Sequence, residues 1–267
     1  NRGLAYGRMD QHQRAISEFD QAISLNSQYS IAYNDRGFAY RKLGQYERAI
    51  QDYNEALRLD PQYSIAYYNR GTSQYYLGEY EPAIRDFDEA IYLNPKFAAA
   101  YNNRGFSYHN LGQYERAIQD YDQAIRLNPS ASITYNNRGL SYNNLGQYQR
   151  AIQDYDEAIL LSPDFTNAYN NRGLSYNNLG QYERAIQDYD EAILLSPESA
   201  NAYNNRGLAY YNLGQYERAI QDYDEAIILN SSFAIAYHNR GSAYQKIGKS
   251  VDAAQDLQKA KELGFIR

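Results

Sequence analysis

The chain has 267 residues, a formal net charge of −6, no cysteine, no tryptophan and 32 tyrosines. Without cysteine there is neither a disulfide framework nor a thiolate metal site, and an acidic chain lacks the positive footprint that nucleic acid or an anionic membrane surface demands. No apolar run is long enough to span a bilayer, the opening "NRGLAYGRMD" does not read as a secretory leader, and so many aromatic residues argue against disorder; a soluble, cytoplasmic protein is expected.

Along the chain Arg-Gly recurs at Gly3, Gly37, Gly71, Gly105, Gly139, Gly173, Gly207 and Gly241, 34 residues apart each time. Self-similarity at such a period signals a repeat array. No linker or low-complexity stretch interrupts it. A single domain over residues 1–267 is therefore expected, with repeats at about 1–29, 30–63, 64–97, 98–131, 132–165, 166–199, 200–233 and 234–267. In repeat one Asn1 falls inside the first helix and Asp10 replaces the turn glycine. That cut start suggests a fragment of a longer protein.

Repeats five and six differ, from Tyr135 through Pro163 and from Tyr169 through Pro197, only at Gln149 versus Glu183. Repeat six can stand for all. Asn167–Leu179 reads as a first helix stopped by Gly180, as a glycine in the left-handed cap conformation commonly does. Tyr182–Leu195 reads as a second helix, and Pro197 bars its continuation. Such a hairpin cannot bury its apolar face alone, so the repeats must stack. At about 100° per residue, Tyr169, Arg172, Gly173 and Tyr176 share one side of the first helix. Ala185, Ile186, Tyr189, Ala192 and Ile193 form the stripe of the second. Repeat eight drifts, ending "SVDAAQDLQKAKELGFIR" with Leu257 where the others carry Tyr or Phe. Its lysines suit the solvated face of a terminal cap.

This pattern resembles the tetratricopeptide repeat family over the whole chain. In repeat six it is carried by Tyr169, Gly173, Tyr176, Gly180, Tyr182, Ala185, Tyr189, Ala192 and Pro197. The chain departs from the family in placing tyrosine where tryptophan is frequent, and Arg172 where leucine is. The resemblance implies an all-α solenoid, a right-handed superhelix of helix-turn-helix hairpins. Its first helices would line a concave groove, its function would be to bind proteins or peptides, and neither catalysis nor a cofactor is implied.

Asp188 falls within the buried arc of its helix, and an acid there must be paired. Arg172, on the packing side of the first helix, is its expected partner. The two positions recur together as Arg36 and Asp52, Arg70 and Asp86, Arg104 and Asp120, Arg138 and Asp154, Arg206 and Asp222, and Arg240 and Asp256. Repeat one has Arg2 and Glu18. A strut that fixes helix register is the reading; a row of anion-binding arginines is the alternative.

By the resemblance, the groove face of repeat six holds Asn167, Asn170, Asn171, Leu174, Asn177 and Asn178. Four rows follow across the repeats. One is Ile31, Ile65, Ala99, Ile133, Asn167, Asn201 and Ile235; another is Leu4, Phe38, Thr72, Phe106, Leu140, Leu174, Leu208 and Ser242. Between them run Asn34, Asn102, Asn136, Asn170 and Asn204, interrupted by Tyr68 and His238. Beside these run Asn1, Asn69, Asn103, Asn137, Asn171, Asn205 and Asn239, interrupted by Asp35. A primary amide offers two donors and an acceptor, so a regular row can pair with an extended peptide backbone. The candidate peptide site is therefore Asn69, Asn102, Asn103, Asn136, Asn137, Asn170, Asn171, Asn204, Asn205 and Asn239, with Phe38, Phe106, Leu140, Leu174 and Leu208 as apolar anchors and Tyr68 and His109 as polar contacts. The family often carries asparagine in the second amide row, which gives that row a structural reading as well. Some members grip a C-terminal carboxylate with lysine and arginine on this face. Here basic groove residues are few, mainly Arg8, Arg41, Lys42 and Lys246, and an anionic peptide is not the favoured ligand.

Other signals carry little. "AYQKIGKS" lacks the first glycine of a phosphate loop and follows a helix rather than a strand. Asp190 and Glu191 fall on the solvated outer arc, where no pocket shifts a pKa for acid–base work. His12, His109 and His238 lack metal-ligand spacing, and the Asn230-Ser231-Ser232 sequon has meaning only on a secretory route. The expected function is a non-enzymatic peptide- or protein-binding scaffold. The alternatives are the substrate-recognition arm of a larger enzyme, such as a glycosyltransferase, and a self-assembling or engineered array whose copies stack end to end on repeat eight.

Overall fold

The computed structural model describes residues 2–265, in which there are sixteen helices and no strand. The first helices of the repeats are α1 (Arg2–Arg8), α3 (Ser30–Lys42), α5 (Ser64–Tyr76), α7 (Ala98–Asn110), α9 (Ser132–Asn144), α11 (Thr166–Asn178), α13 (Ala200–Asn212) and α15 (Ala234–Lys246). The second helices are α2 (His12–Leu25), α4 (Tyr46–Leu59), α6 (Tyr80–Leu93), α8 (Tyr114–Leu127), α10 (Tyr148–Leu161), α12 (Tyr182–Leu195), α14 (Tyr216–Leu229) and α16 (Ser250–Glu262). The architecture is the all-α solenoid that the repeat pattern implies. In repeat six, α11 starts and ends one residue earlier than its sequence suggests, and α12 has the expected bounds.

Each hairpin turn is closed by backbone chemistry that only a few residues tolerate. Gly44 sits at φ +72°, its N–H donates to the carbonyl of Arg41, and the N–H of Gln45 reaches back to Tyr40. This double closure satisfies the last carbonyls of α3. In repeat one the same bonds run from Asp10 to Gly7 and from Gln11 to Tyr6, and Asp10 takes φ +54°, the one non-glycine in that region among the described residues. After the second helices, Asn26, Asp60, Asn94, Asn128 and Asn230 each accept from a backbone N–H two residues on. Those side-chain turns redirect the chain into the next hairpin.

The chain divides into two compact units, residues 1–130 with α1–α8 and residues 131–267 with α9–α16. Within each unit a first helix packs on its own second helix, and that second helix packs on the next first helix. First helices also touch one another, α3 with α5 and α5 with α7 in one unit, α9 with α11 and onward to α15 in the other.

The core of hairpins one to seven is an aromatic ring laid over a glycine, and in hairpin eight Leu257 takes the ring's place over Gly241. Tyr53, Phe87, Tyr121, Tyr155, Tyr189 and Tyr223 are buried to 1% exposure or less, each against the glycine sixteen residues before it. A Cβ on Gly173 would stand 2.8 Å from Tyr189 Cε1. Alanines such as Ala49, Ala56 and Ala66 complete the contact at no exposure. Fully burying one such apolar ring stabilises by about 1.5–3 kcal/mol, and the glycine is what gives the ring its room.

Candidate functional site

The arginine–aspartate pairs form as expected, and each arginine does more than the sequence suggests. Arg172 donates from Nε to Asp188 Oδ2 (2.9 Å) and from Nη2 to Asp188 Oδ1 (2.6 Å). Its third nitrogen, Nη1, donates to Asp156 Oδ1 of the preceding repeat at 2.6 Å. Arg36 links Asp52 and Asp20, Arg104 links Asp120 and Asp88, Arg206 links Asp222 and Asp190, and Arg240 links Asp256 and Asp224 in the same way. Arg70 holds Asp86 but uses Asn54 as its outer partner. The hydrogen bond to the aspartate of its own repeat, ahead of the opposing cost of burial, holds each of Arg36, Arg206 and Arg240 above its ordinary value. Burial in turn holds the Asp52 and Asp222 carboxyls above their ordinary value, and the pairs are bidentate and largely out of water.

Asp190 therefore needs a correction. It lies on the outer arc and is half exposed, but it is not merely solvated: it accepts from Arg206 of the next repeat. The fork of a guanidinium has five donors in a plane, and three of its nitrogens are committed here to welding two repeats. That leaves these arginines no role as an anion-binding row.

The two amide rows also prove to be joined. Asn69 donates to Asn34 at 3.0 Å, Asn171 to Asn136 at 2.9 Å and Asn239 to Asn204 at 3.0 Å, each across a repeat boundary. Where Tyr68 interrupts the row, Asn103 donates instead to its hydroxyl at 3.2 Å. Inside a repeat, Asn34 donates to Asp35, Asn102 to Asn103 and Asn204 to Asn205. Asn69, Asn136, Asn137 and Asn204 are buried. These four stand behind the surface as supports. Asn102, Asn103, Asn170, Asn171, Asn205 and Asn239 are half-buried at corresponding positions of their own first helices. Asn170 Oδ1 is buried without a hydrogen-bond partner, the exception to the pattern. Asn1, placed in the second row by its sequence, lies outside the described residues.

Around these amides the apolar side chains divide by exposure. Ile31, Ile65, Ile133 and Ile235 stand out from the starts of their helices at 41–56% exposure. Phe38 is similarly open, with the Arg41 guanidinium 4.8 Å and the Lys42 ammonium 5.6 Å from its ring centre. Phe106, Leu140, Leu174 and Leu208 are half-buried. Tyr68 lies against Phe97 (4.8 Å between centres) and Phe87.

Phe106 and His109 of the expected site belong to a run of rings in repeats two to four whose other members, Tyr46, Tyr75, Tyr76 and Tyr114, it did not include. Tyr46 stacks on Tyr76 at 5.2 Å, Tyr75 stacks on Phe106 at 5.4 Å, and His109 meets Phe106 and Tyr114. Burial holds the His109 imidazole below its ordinary value, so it is neutral at pH 7. The signal was present in the sequence: Tyr75 and Tyr76 stand where repeats five and six carry Asn143 and Asn144, and Asn177 and Asn178. Among the described residues no cluster of His, Asp and Glu has the makings of a metal site, and no helix is long and apolar enough to cross a membrane.

Models of the families described as TPR repeat and tetratricopeptide repeat match the chain repeatedly. Residues 37–78, 173–214 and 207–248 match the first, and 64–97, 98–131, 132–165, 18–51, 154–187 and 1–29 match models of the second. No curated protein matches. Among solved structures, one similar chain comes from the APC/C hetero-tetramer Cut9–Hcn1, at 19% identity and TM-score 0.76, covering 90% of this chain and 48% of that one. This chain thus spans about half the length of that relative. A tetratricopeptide repeat protein from Parabacteroides merdae aligns at 23% identity and TM-score 0.72, over 89% and 94% of the two chains. YrrB, described as a TPR protein with an unusual peptide-binding site, aligns at 24% identity and TM-score 0.57, over 69% and 95%.

Proposed function

The chain belongs to the tetratricopeptide repeat family, and from that premise we propose that it is a non-catalytic scaffold that holds an extended peptide along its first helices. The observation that carries the reading is the set of half-buried second-row amides, Asn103 in the first unit with exposed Ile31, Ile65 and Phe38, and Asn171, Asn205 and Asn239 in the second with exposed Ile133 and Ile235. Asn103, Asn171 and Asn239 keep hydrogen-bonding capacity beyond the bond each makes to the preceding repeat, and Asn205 beyond its bond from Asn204. An extended backbone supplies matching donors and acceptors at regular intervals, and the aliphatic side chains accept its apolar residues. Because the asparagines are braced by the repeats beside them, little ordering entropy is lost on binding. The description of YrrB as a peptide-binding repeat protein supports the same use of the fold.

The test is selection of peptides from a random displayed library on the unaltered chain, followed by affinity measurement on a variant with Asn103→Ala and Asn171→Ala. Enriched peptides should lose at least tenfold in affinity for a variant that keeps its helical circular dichroism. Equal affinity would remove the amide row from the site.

A second reading, association of copies of the chain, is favoured by another observation. Leu160, Leu194 and Ile228 occupy one position of α10, α12 and α14 and are 73–74% exposed, an open apolar row of the kind that marks interaction surfaces. Sedimentation velocity across a concentration series decides it, since a constant monomer mass dismisses self-association.

A further inference from the structure

We propose that the ring strip of repeats two to four binds a proline-rich segment in the polyproline II conformation. The proposal rests on the peptide-binding reading above and names the ligand class for one part of that surface. Four observations carry it. The rings are preassembled: Tyr46 on Tyr76 and Tyr75 on Phe106 are near-parallel pairs, with interplanar angles of 13° and 27°. Tyr76 is nonetheless 57% exposed, so its pairing with Tyr46 leaves much of the side chain open to a ligand.

The polar edge of the strip donates. Tyr75 Oη accepts from Asn110 Nδ2 at 3.1 Å, which leaves the hydroxyl's own proton for an outside acceptor. A proline-rich backbone is the complement to such an edge, since proline has a carbonyl but no N–H. Polyproline II also advances one turn, three residues, in about 9 Å, close to the roughly 8–10 Å between packed helices. Its conformation is preformed, so ordering it costs little, which suits a shallow surface.

Charge narrows the choice further. The His109 imidazole within the strip is neutral and offers an anionic ligand no cationic partner. The polarised C–H groups of an uncharged pyrrolidine ring meet the negative faces of the tyrosines without desolvating a charge.

The experiment uses isothermal titration of the full chain with acetylated, amidated deca-proline. A glycine-serine decamer and cellohexaose serve as controls. The variant carries Tyr75→Asn, Tyr76→Asn and Phe106→Leu, the residues that repeat five has at these places (Asn143, Asn144 and Leu140), and Tyr76→Asn alone stands in should the triple variant fold poorly. Saturable binding of deca-proline alone, weakened at least tenfold by the triple variant or at least threefold by the single one, is the expected result. No saturable binding to the unaltered chain, equal affinity in the variant, or binding of cellohexaose in place of deca-proline overturns the proposal. The ring variant leaves Asn103 and Asn171 in place. A failed proline titration beside library peptides that still depend on those asparagines therefore refutes the ring strip alone, and the reverse outcome refutes the amide row alone.

Discussion

Replacing Arg172 by leucine removes both welds of one hairpin at once. The inner partner, Asp188, has a side chain only 6% exposed, and the outer partner, Asp156, is 52% exposed. Losing the outer bond costs about 0–1 kcal/mol, as for any exposed pair. Stranding the inner carboxylate costs about 3–5 kcal/mol, because its desolvation is no longer compensated. Replacing Asp188 by leucine as well removes the stranded charge, and a buried pair exchanged for apolar side chains is often neutral. The double variant should therefore be more stable than the single one by at least about 2 kcal/mol, or roughly 1 M in urea midpoint for a slope near 2 kcal/mol per molar. Urea titration followed by far-ultraviolet circular dichroism reads the difference. Hydrogen exchange of amides in α11 and α12 reads it locally, should the array unfold in more than one step. A double variant as unstable as Arg172→Leu would refute the strut; the same comparison applies to Arg138 and Asp154, whose bidentate bonds match.

Other consequences follow from single positions. Gly173→Ala gains about 1 kcal/mol of helix propensity but drives its methyl to 2.8 Å from Tyr189, an overpacking cost of about 1–3 kcal/mol, so thermal midpoints should fall. Gly7→Ala, whose Cβ meets nothing within 4 Å in a cavity of about 340 Å³ beside Phe19 and Phe38, should raise them instead. Asp10→Gly relieves a left-handed backbone that costs a non-glycine residue about 1 kcal/mol, and chemical denaturation should show a gain up to that size. His109 is held below its ordinary value of 6.5 by burial, so the unfolded chain binds its proton first as pH falls. Stability is full above pH 6.5 and is lost as pH drops through the folded value; His109→Asn should flatten that part of a stability profile between pH 7.5 and 5.

Much of the fold was legible because period and turn chemistry agree. The 34-residue spacing, the turn glycines and the proline after many second helices bound the two helices of repeat six to within a residue. The inner charge pair was legible for the same reason, since Asp188 and Arg172 fall on facing stripes. Its outer half was not, because Asp156 and Asp190 look like ordinary surface acids until stacking brings the next repeat's arginine beside them. The asparagines illustrate the same limit. Their face followed from periodicity, but burial of Asn136 and Asn204 depends on side chains 35 residues away that no local pattern displays. Tyr75 and Tyr76 stand out in the sequence only as tyrosines at positions where repeats five and six carry asparagine, and only the observed ring pairs separate them from the core tyrosines.

The central claim is that the first-helix face receives a peptide through its asparagine amides. Side-chain amide spectra of the ¹⁵N-labelled chain, recorded while a selected peptide is added, test it most directly. Saturable shifts of the Asn103, Asn171 and Asn205 NH₂ signals, with α10, α12 and α14 unmoved, are the predicted result. Shifts confined to those second helices, with the asparagine signals unchanged, would contradict the account.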